Sequence, residues 1–328
     1  MIRNTIAVAS NTFTEAIRQP VYVVIIFATT ILFMLSPSTV MFALREDSQL
    51  LSDIGLSNLL VAGLFIAVFA ASTVVTDEID RKTALTVISK SVSRHSFVLG
   101  KFFGITGAVL FAEYLLALVY FLTVRHGVLI NASDHEDITV IVFGYSSAVL
   151  ACLIGAFSNY FYKWRFGSTT VITGAILTTL SVFILFFIDH KWNYNPSLAN
   201  FPLNLVAPVI LIFLSTIVIS SIAVASAMRF NMVTTMIVCV LVFLLGTMVH
   251  NMLGPVISSP DSNIFQTIFA WFGLAVIPSI NLYIVTDVVY ESRYLPMDYL
   301  LKCVLYTALY SAGAITIAIM LFRKRDIG

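Results

Sequence analysis

Few residues of this chain have the types and spacing that chemistry requires. Gly100 and Lys101 lack the upstream glycine and the following hydroxyl residue of a nucleotide-binding P-loop. Neither an HExxH motif nor a CxxC pair occurs, so we expect no metal or other cofactor in this chain. No nucleophile and base stand together in an apolar stretch. The sequence therefore predicts no catalytic residues and no enzymatic activity.

One ionisable residue, Glu113, lies well inside an apolar stretch. A carboxyl group within a membrane span is a candidate functional group, because burying its charge in lipid is costly. Two roles are open for Glu113. It lines a substrate path or a dimer seam, or it forms a hydrogen bond with a hydroxyl group on a neighbouring helix.

The segment 77–101 is the most informative part of the sequence. It begins with acidic residues and continues with basic ones, which favours a short helix whose N-terminal dipole the acids stabilise. The apolar face of this helix comprises Ala84, Leu85, Val87 and Ile88. A helix of this kind either fits into a groove on a partner protein or rests on lipid headgroups.

The composition restricts the surroundings in which these residues act. Of the 328 residues, 59% are hydrophobic and only 11% are charged, against roughly 25% charged residues in soluble domains. A soluble fold could not hide so much apolar surface, so lipid must surround much of the chain. This excludes a soluble enzyme, a nucleic-acid-binding protein and a disordered protein. The three cysteines lie in apolar stretches, which indicates packing residues and not disulfides.

The apolar stretches predict an all-α, polytopic transmembrane helix bundle, because about 20 apolar residues cross a bilayer. The eight predicted spans are 21–44, 58–76, 102–124, 138–162, 169–188, 205–228, 232–253 and 299–322. A further apolar stretch, 264–285, is interrupted by Pro278, Ser279 and Asn281 and either spans or re-enters the membrane. Residues 1–19 have an apolar face at helical spacing, which predicts an interfacial amphipathic helix.

The positions of the basic residues favour eight spans. With a cytoplasmic N-terminus, 13 of the 18 basic residues lie on the cytoplasmic side and 5 lie outside, a strong bias of the expected sign. A ninth span would place the C-terminal basic cluster, 323–325, outside. We therefore expect 264–285 to re-enter from the outer side, and both termini to lie in the cytoplasm. The whole chain, 1–328, is expected to form one transmembrane domain with short loops.

The segment 77–101 resembles the cytoplasmic loop of ABC-2 type transporter permeases, the membrane-spanning halves of ABC exporters. That loop runs roughly E-x-x-x-[KR]-T, then L-x-[ST]-[KR]-P-V-[ST]-R, then G-K. The matching residues are Glu78, Lys82, Thr83, Lys90, Val92, Ser93, Arg94, Gly100 and Lys101. Ser91 stands where the family usually has proline.

Both ends of the chain resemble the same family. The amphipathic stretch ending at 18–20 is similar to its elbow helix, and 322–326 is similar to its usual C-terminus. A broken apolar segment before the last span also fits, because the family has re-entrant helices there. The middle differs, since such permeases commonly have six spans. The extra pair falls within 138–228.

The resemblance implies a permease subunit that exports a substrate across the cytoplasmic (inner) membrane. It would pair with a second permease copy or a homologous permease, surrounded by membrane lipid. A separate ABC ATPase subunit, holding ATP and Mg, would dock on the 77–101 coupling loop. The implied contact residues are Glu78, Arg81, Thr83, Leu85, Ile88 and Arg94. The alternatives are a secondary transporter and a mechanical-signalling membrane subunit of an ABC complex that transports nothing.

Overall fold

The computed structural model describes residues 2–40, 47–76, 93–128, 137–196, 201–258, 263–285 and 295–323. Within these ranges the chain forms ten α-helices and no strand. They are α1 (Ile2–Ile17), α2 (Pro20–Val40), α3 (Asp47–Ala71), α4 (Arg94–His126), α5 (Ile138–Tyr162), α6 (Phe166–Phe187), α7 (Val206–Ala227), α8 (Met232–Ser258), α9 (Ile264–Val276) and α10 (Met297–Arg323). A π-helical turn, Ser72–Thr76, continues α3, and 3₁₀ turns lie at Leu203–Leu205 and Ile280–Tyr283.

Eight of the described helices, α2 to α8 and α10, are long and apolar enough to cross a membrane. The prediction of an all-α bundle with eight spans is thus confirmed, and the chain is a multi-pass membrane protein. Helix α9 has 13 residues. At 1.5 Å per residue it is about 20 Å long, shorter than the roughly 30 Å hydrocarbon core of a bilayer.

Three helices form the centre of the bundle. Helices α3, α4 and α7 contact one another, and 78%, 72% and 61% of their most apolar stretches are buried, against at most 39% in the other five spans. Fully buried small residues such as Ala108 and Ala223 allow these helices to approach closely. The other helices surround this centre, with α1 along α4, α10 against α7, and α5 paired with α6.

Two of the central helices, α3 and α4, extend beyond the predicted spans. Helix α3 begins at Asp47, whereas the sequence predicts a start at 58. The added turns pack against α4: the Tyr120 hydroxyl donates to the Ser52 carbonyl oxygen at 3.1 Å, and the Tyr120 ring lies over Gly55. Because hydropathy marks only the membrane-embedded part of a helix, it gives no signal for this extension.

Helix α4 begins at Arg94, whereas the sequence predicts a start at 102. The Ser93 hydroxyl caps the helix by accepting a hydrogen bond from the backbone N–H of Ser96 at 3.2 Å. The last eight residues of the predicted coupling loop therefore belong to a central helix.

Candidate functional site

Most of the predicted coupling contacts lie outside the described residues. Five of them fall between the ranges 47–76 and 93–128: Glu78, Arg81, Thr83, Leu85 and Ile88. Both ends of the segment are described, since Thr76 ends the π-helical turn and Ser93 precedes α4. The segment 77–92 therefore joins two of the three central helices, α3 and α4. π-Helical turns such as 72–76 often lie at functional sites.

Arg94 is the one predicted contact residue with a described position. Its side chain is exposed at the start of α4, and its Nη1 donates to the carbonyl oxygen of Arg323, the last residue of α10, at 3.0 Å. A cation at a helix C-terminus interacts favourably with the helix dipole. Nearby, the buried rings of Phe97 and Phe322 stack with centroids 5.3 Å apart. The start of α4 is thus fastened to the end of α10.

Lys101 lies two turns further along α4 and is only 1% exposed. Its amino group is 3.7 Å from Glu15 Oε2 on α1 and donates to the Val74 carbonyl oxygen at 3.4 Å. It also lies 5.7 Å from the centroid of the Phe97 ring. Lys101 therefore connects α1, the π-helical turn and α4. The sequence places Lys101 only as part of a loop motif, and nothing in its neighbourhood along the chain indicates that it is buried.

Helix α1 docks on α4 through glycines one helical turn apart. A Cβ atom at Gly100 would lie 2.6 Å from Val8 Cβ, and one at Gly104 would lie 2.6 Å from the Ala9 carbonyl oxygen. No larger residue fits at either position while α1 stays in place. Stripes of small residues let membrane helices approach backbone to backbone. We call the end of the bundle where α1 lies the α1 end.

Glu113 is fully buried between all three central helices. The Thr216 hydroxyl of α7 lies 2.8 Å from Glu113 Oε2, and a Cβ atom at Gly63 of α3 would lie 2.2 Å from Oε1. Thr216 also reaches the Phe213 carbonyl oxygen at 2.9 Å. Since a hydroxyl has one proton, both contacts become hydrogen bonds when a protonated carboxyl group donates to Thr216.

The hydroxyl partner that the hydrogen-bonding alternative for Glu113 requires is therefore present. The other carboxyl oxygen, Oε1, has no hydrogen-bond partner in the described part of the chain. A substrate path or a dimer seam at Glu113 stays a prediction.

A second cluster, which the sequence did not predict, lies at the opposite end of α4. The Nε atom of Arg125 is 3.5 Å from Asp137 Oδ2. The Nη1 and Nη2 atoms of Arg125 donate to the carbonyl oxygens of Leu185 and Ile188, respectively. Asp137 in turn caps α5 by accepting from the Thr139 backbone N–H at 3.1 Å. The cluster joins α4, α5 and the end of α6. An aspartate directly before an apolar helix was the signal for the cap.

Comparison with known proteins does not assign the chain to a family. A scan against protein-family models finds no match, and a search of curated proteins finds no significant match. Within the described ranges, no three His, Cys, Asp or Glu side chains lie close enough together to hold a metal ion. The function must therefore be inferred from the helix bundle and from the segment 77–92, which connects α3 to α4 along the chain.

Proposed function

We propose that the chain is the permease subunit of an ATP-driven exporter of the ABC-2 type, and that a separate ATPase subunit docks on the segment 77–94. The observation that carries this proposal is the place of the segment, which joins the central helices α3 and α4. An ATPase that moves the segment acts directly on the centre of the bundle. Rigid packed helices can pass such a displacement on as a change between two arrangements.

The contacts at the α1 end support this role. Arg94 donates a hydrogen bond to the end of α10. Lys101 donates a hydrogen bond to the Val74 carbonyl oxygen and forms an ion pair with Glu15. A displacement of the start of α4 therefore reaches α10, α1 and the end of α3 together.

We further propose that the α1 end faces the cytoplasm at the inner membrane and that α1 is an elbow helix packed along the first turns of α4. The start of α4 and the end of α10 contact each other, so the basic residues near both lie on one side of the membrane. That arrangement satisfies the positive-inside rule. It also places both termini on the same side of the membrane, because a chain that crosses eight times returns to the side on which it began.

The contacts of 264–285 support a segment that re-enters the membrane from the outer side. Val276, at the end of α9, accepts a hydrogen bond from Tyr310, near the middle of α10, at 2.8 Å. A Cβ atom at Gly246, near the middle of α8, would lie 2.6 Å from the Pro278 carbonyl oxygen. Further on, Leu282 accepts from Tyr299, near the start of α10, at 2.6 Å. These contacts are those expected of a segment that turns near the middle of the bilayer and returns.

The proposal is tested by purifying the tagged chain in mild detergent and identifying the proteins that accompany it. We expect a P-loop ATPase to co-purify and the complex to hydrolyse ATP. Leu85→Asp and Arg94→Glu should each remove the ATPase while membrane insertion stays at the wild-type level. Arg229→Glu, at an exposed arginine in the turn between α7 and α8, is the matched control and should retain it. Retention by both loop variants, or no ATPase with the wild type, would show the proposal to be wrong.

A further inference from the structure

A large open groove lies at the α1 end, outside the contacts described so far. It has a volume of about 1430 Å³ and is bounded by α1, the first half of α2 and the start of α6. Its lining has two zones. Polar and charged side chains line it where α1 turns into α2, and apolar side chains line it along α2.

Two arginines face the polar zone from different elements. Arg18 lies in the turn between α1 and α2, and Arg165 lies directly before α6. Both side chains are exposed, and neither guanidinium has a hydrogen-bonding or ionic partner among the residues that the structure describes. The acidic residue that also lines the groove, Glu15, is paired with Lys101. The polar zone therefore offers two guanidinium groups that the described part of the chain leaves unpaired, and such groups suit a phosphate.

The apolar zone is one face of α2. Val24, Phe27 and Ile31 line this face at helical spacing. The side chains of Val24 and Ile31 are 64% and 53% exposed, respectively. From Pro20 to Ile31 the helix rises by about 16 Å at 1.5 Å per residue. That is close to half of the roughly 30 Å hydrocarbon core, the depth of one leaflet.

We propose that this groove binds an anionic phospholipid of the leaflet at the α1 end. Its phosphate lies between Arg18 and Arg165, and one acyl chain follows Val24, Phe27 and Ile31. A phospholipid matches both zones, because it has a negative charge at one end and an apolar chain one leaflet long. Exposed aromatic residues beside Arg165, Tyr162 and Trp164, are of the type found at the headgroup level.

A second protein helix fits the groove less well. Such a helix would have to bring an anionic group to the two arginines, and ionisable residues are rare in membrane helices. The lipid proposal requires only that the bundle span a membrane, so it stands or falls independently of the proposed transport function.

The test is native mass spectrometry of the full chain, delipidated in mild detergent and titrated with phosphatidylglycerol or phosphatidylcholine. The wild type should bind phosphatidylglycerol more tightly than it binds phosphatidylcholine. Arg18→Gln and Arg165→Gln should each weaken this binding about fivefold, and the double variant about 30-fold, because each arginine near a lipid phosphate contributes about a factor of five. Arg229→Gln, an exposed arginine outside the groove, should bind as the wild type does.

A second variant tests the apolar wall without changing charge. Ala28→Trp would fill the groove and weaken phosphatidylglycerol binding, whereas Ala312→Trp, at an exposed position on α10, would not. Glycerol phosphate should fail to displace the lipid, because it lacks the acyl chain. Equal affinity for both lipids, unchanged binding by the double variant, or equal loss with Arg229→Gln would overturn the proposal. A dimer that Ala28→Trp converts to monomer would show that a second copy fills the groove instead.

Discussion

Ionisable side chains near the two ends of α4 have different contacts from the ionisable side chain in its middle. Near the ends, Lys101 and Arg125 each lie beside a carboxylate and donate to backbone carbonyl oxygens of other helices. In the middle, Glu113 lies beside a hydroxyl group, and no cation pairs with it in the described part of the chain. A charge is least costly near the headgroups and most costly at mid-depth. The ends of α4 therefore use ion pairs to fasten helices, while the middle depends on close packing.

The largest effect should come from crowding the middle. Gly63→Ala would place a Cβ atom 2.2 Å from Glu113 Oε1 and 2.4 Å from Thr216 Cγ2, which forces α3 away from its neighbours. We expect a loss of about 3 kcal/mol or more, measured as a fall in the melting temperature of the detergent-purified protein. Gly313→Ala is the matched control, because nothing lies within 4 Å of its added Cβ atom. That variant should gain up to about 1 kcal/mol of helix stability. Equal melting temperatures for the two variants would contradict the close contact at Glu113.

The next largest effect should come from the end opposite α1. Arg125→Met removes the guanidinium that joins α4 to Asp137 and to two carbonyl groups at the end of α6. Because the side chain is only 7% exposed, the loss should be about 3 kcal/mol, seen in the same melting experiment. Combining Arg125→Met with Asp137→Asn should recover part of the lost stability, because the double variant leaves no unpaired charge at this site. If the double variant is less stable than the sum of the two single changes predicts, the ion pair is not what stabilises this end.

A smaller effect should come from the ion pair at the α1 end. Lys101→Met should cost about 1 kcal/mol, because the carboxylate that loses this ion pair, Glu15, is 36% exposed. Glu15→Gln should cost about 2 kcal/mol, because the ammonium group that loses this ion pair, Lys101, is only 1% exposed but still donates to Val74. Faster hydrogen exchange in α1 should accompany both changes. The double variant should lose less than the sum of the two, as expected for residues that interact directly. Additive losses would indicate that Lys101 is held by Val74 and Phe97 without help from α1.

The two roles that remain open for Glu113 can be separated by comparing two variants. Glu113→Gln keeps a polar group beside Thr216 and should change stability by less than about 1 kcal/mol. Glu113→Leu loses the hydrogen bond, at a cost of about 1 kcal/mol. If the chain is the proposed permease and the hydrogen bond is what matters, ATP hydrolysis by its complex should survive Glu113→Gln and fail with Glu113→Leu. Loss of coupling with Gln at unchanged stability would favour a group that lines a path.

The spans could be predicted from the sequence because a membrane helix needs a long apolar run whatever its neighbours are. The bounds of α5, 138–162, agree with the prediction, since Asp137 caps its start and the tight turn after it contains Lys163 in a left-handed conformation. The early starts of α3 and α4 were not predictable from hydropathy. They depend on contacts made beyond the apolar run, at Tyr120 and Ser93.

The candidate site was less accessible to prediction. Burial of Lys101 depends on Glu15 and on the glycines that admit α1, residues far apart in the chain. Pairing between distant helices leaves no periodic signal in one sequence. Glu113 could be singled out, because a carboxyl group in an apolar run is conspicuous, but its partner Thr216 could not. The coupling residues between 77 and 92 lie outside the described ranges and stay a prediction.

The smallest effect should come from Asp189, which lies beyond the end of α6. Its side chain is 25% exposed, against 12% for the buried Asp137. The His190 backbone N–H donates to its carboxylate at 2.7 Å and, with the His190 ring and the charge of Arg125, lowers the pKa of Asp189 below its ordinary value of 3.8. A lowered carboxyl pKa stabilises the folded state above pH 3.8, and that stabilisation is lost as the pH falls through the lower, folded-state value. Asp189 is partly exposed and its partner His190 is 58% exposed, so water and salt screen the pair and Asp189→Asn should hardly change the melting temperature at pH 7. Any difference in melting temperature from the wild type should disappear below pH 3.8. A loss as large as that of Arg125→Met would mean that a screened, partly exposed carboxylate stabilises this end as strongly as the buried ion pair does. The contrast between the ends and the middle of α4 would then no longer depend on burial.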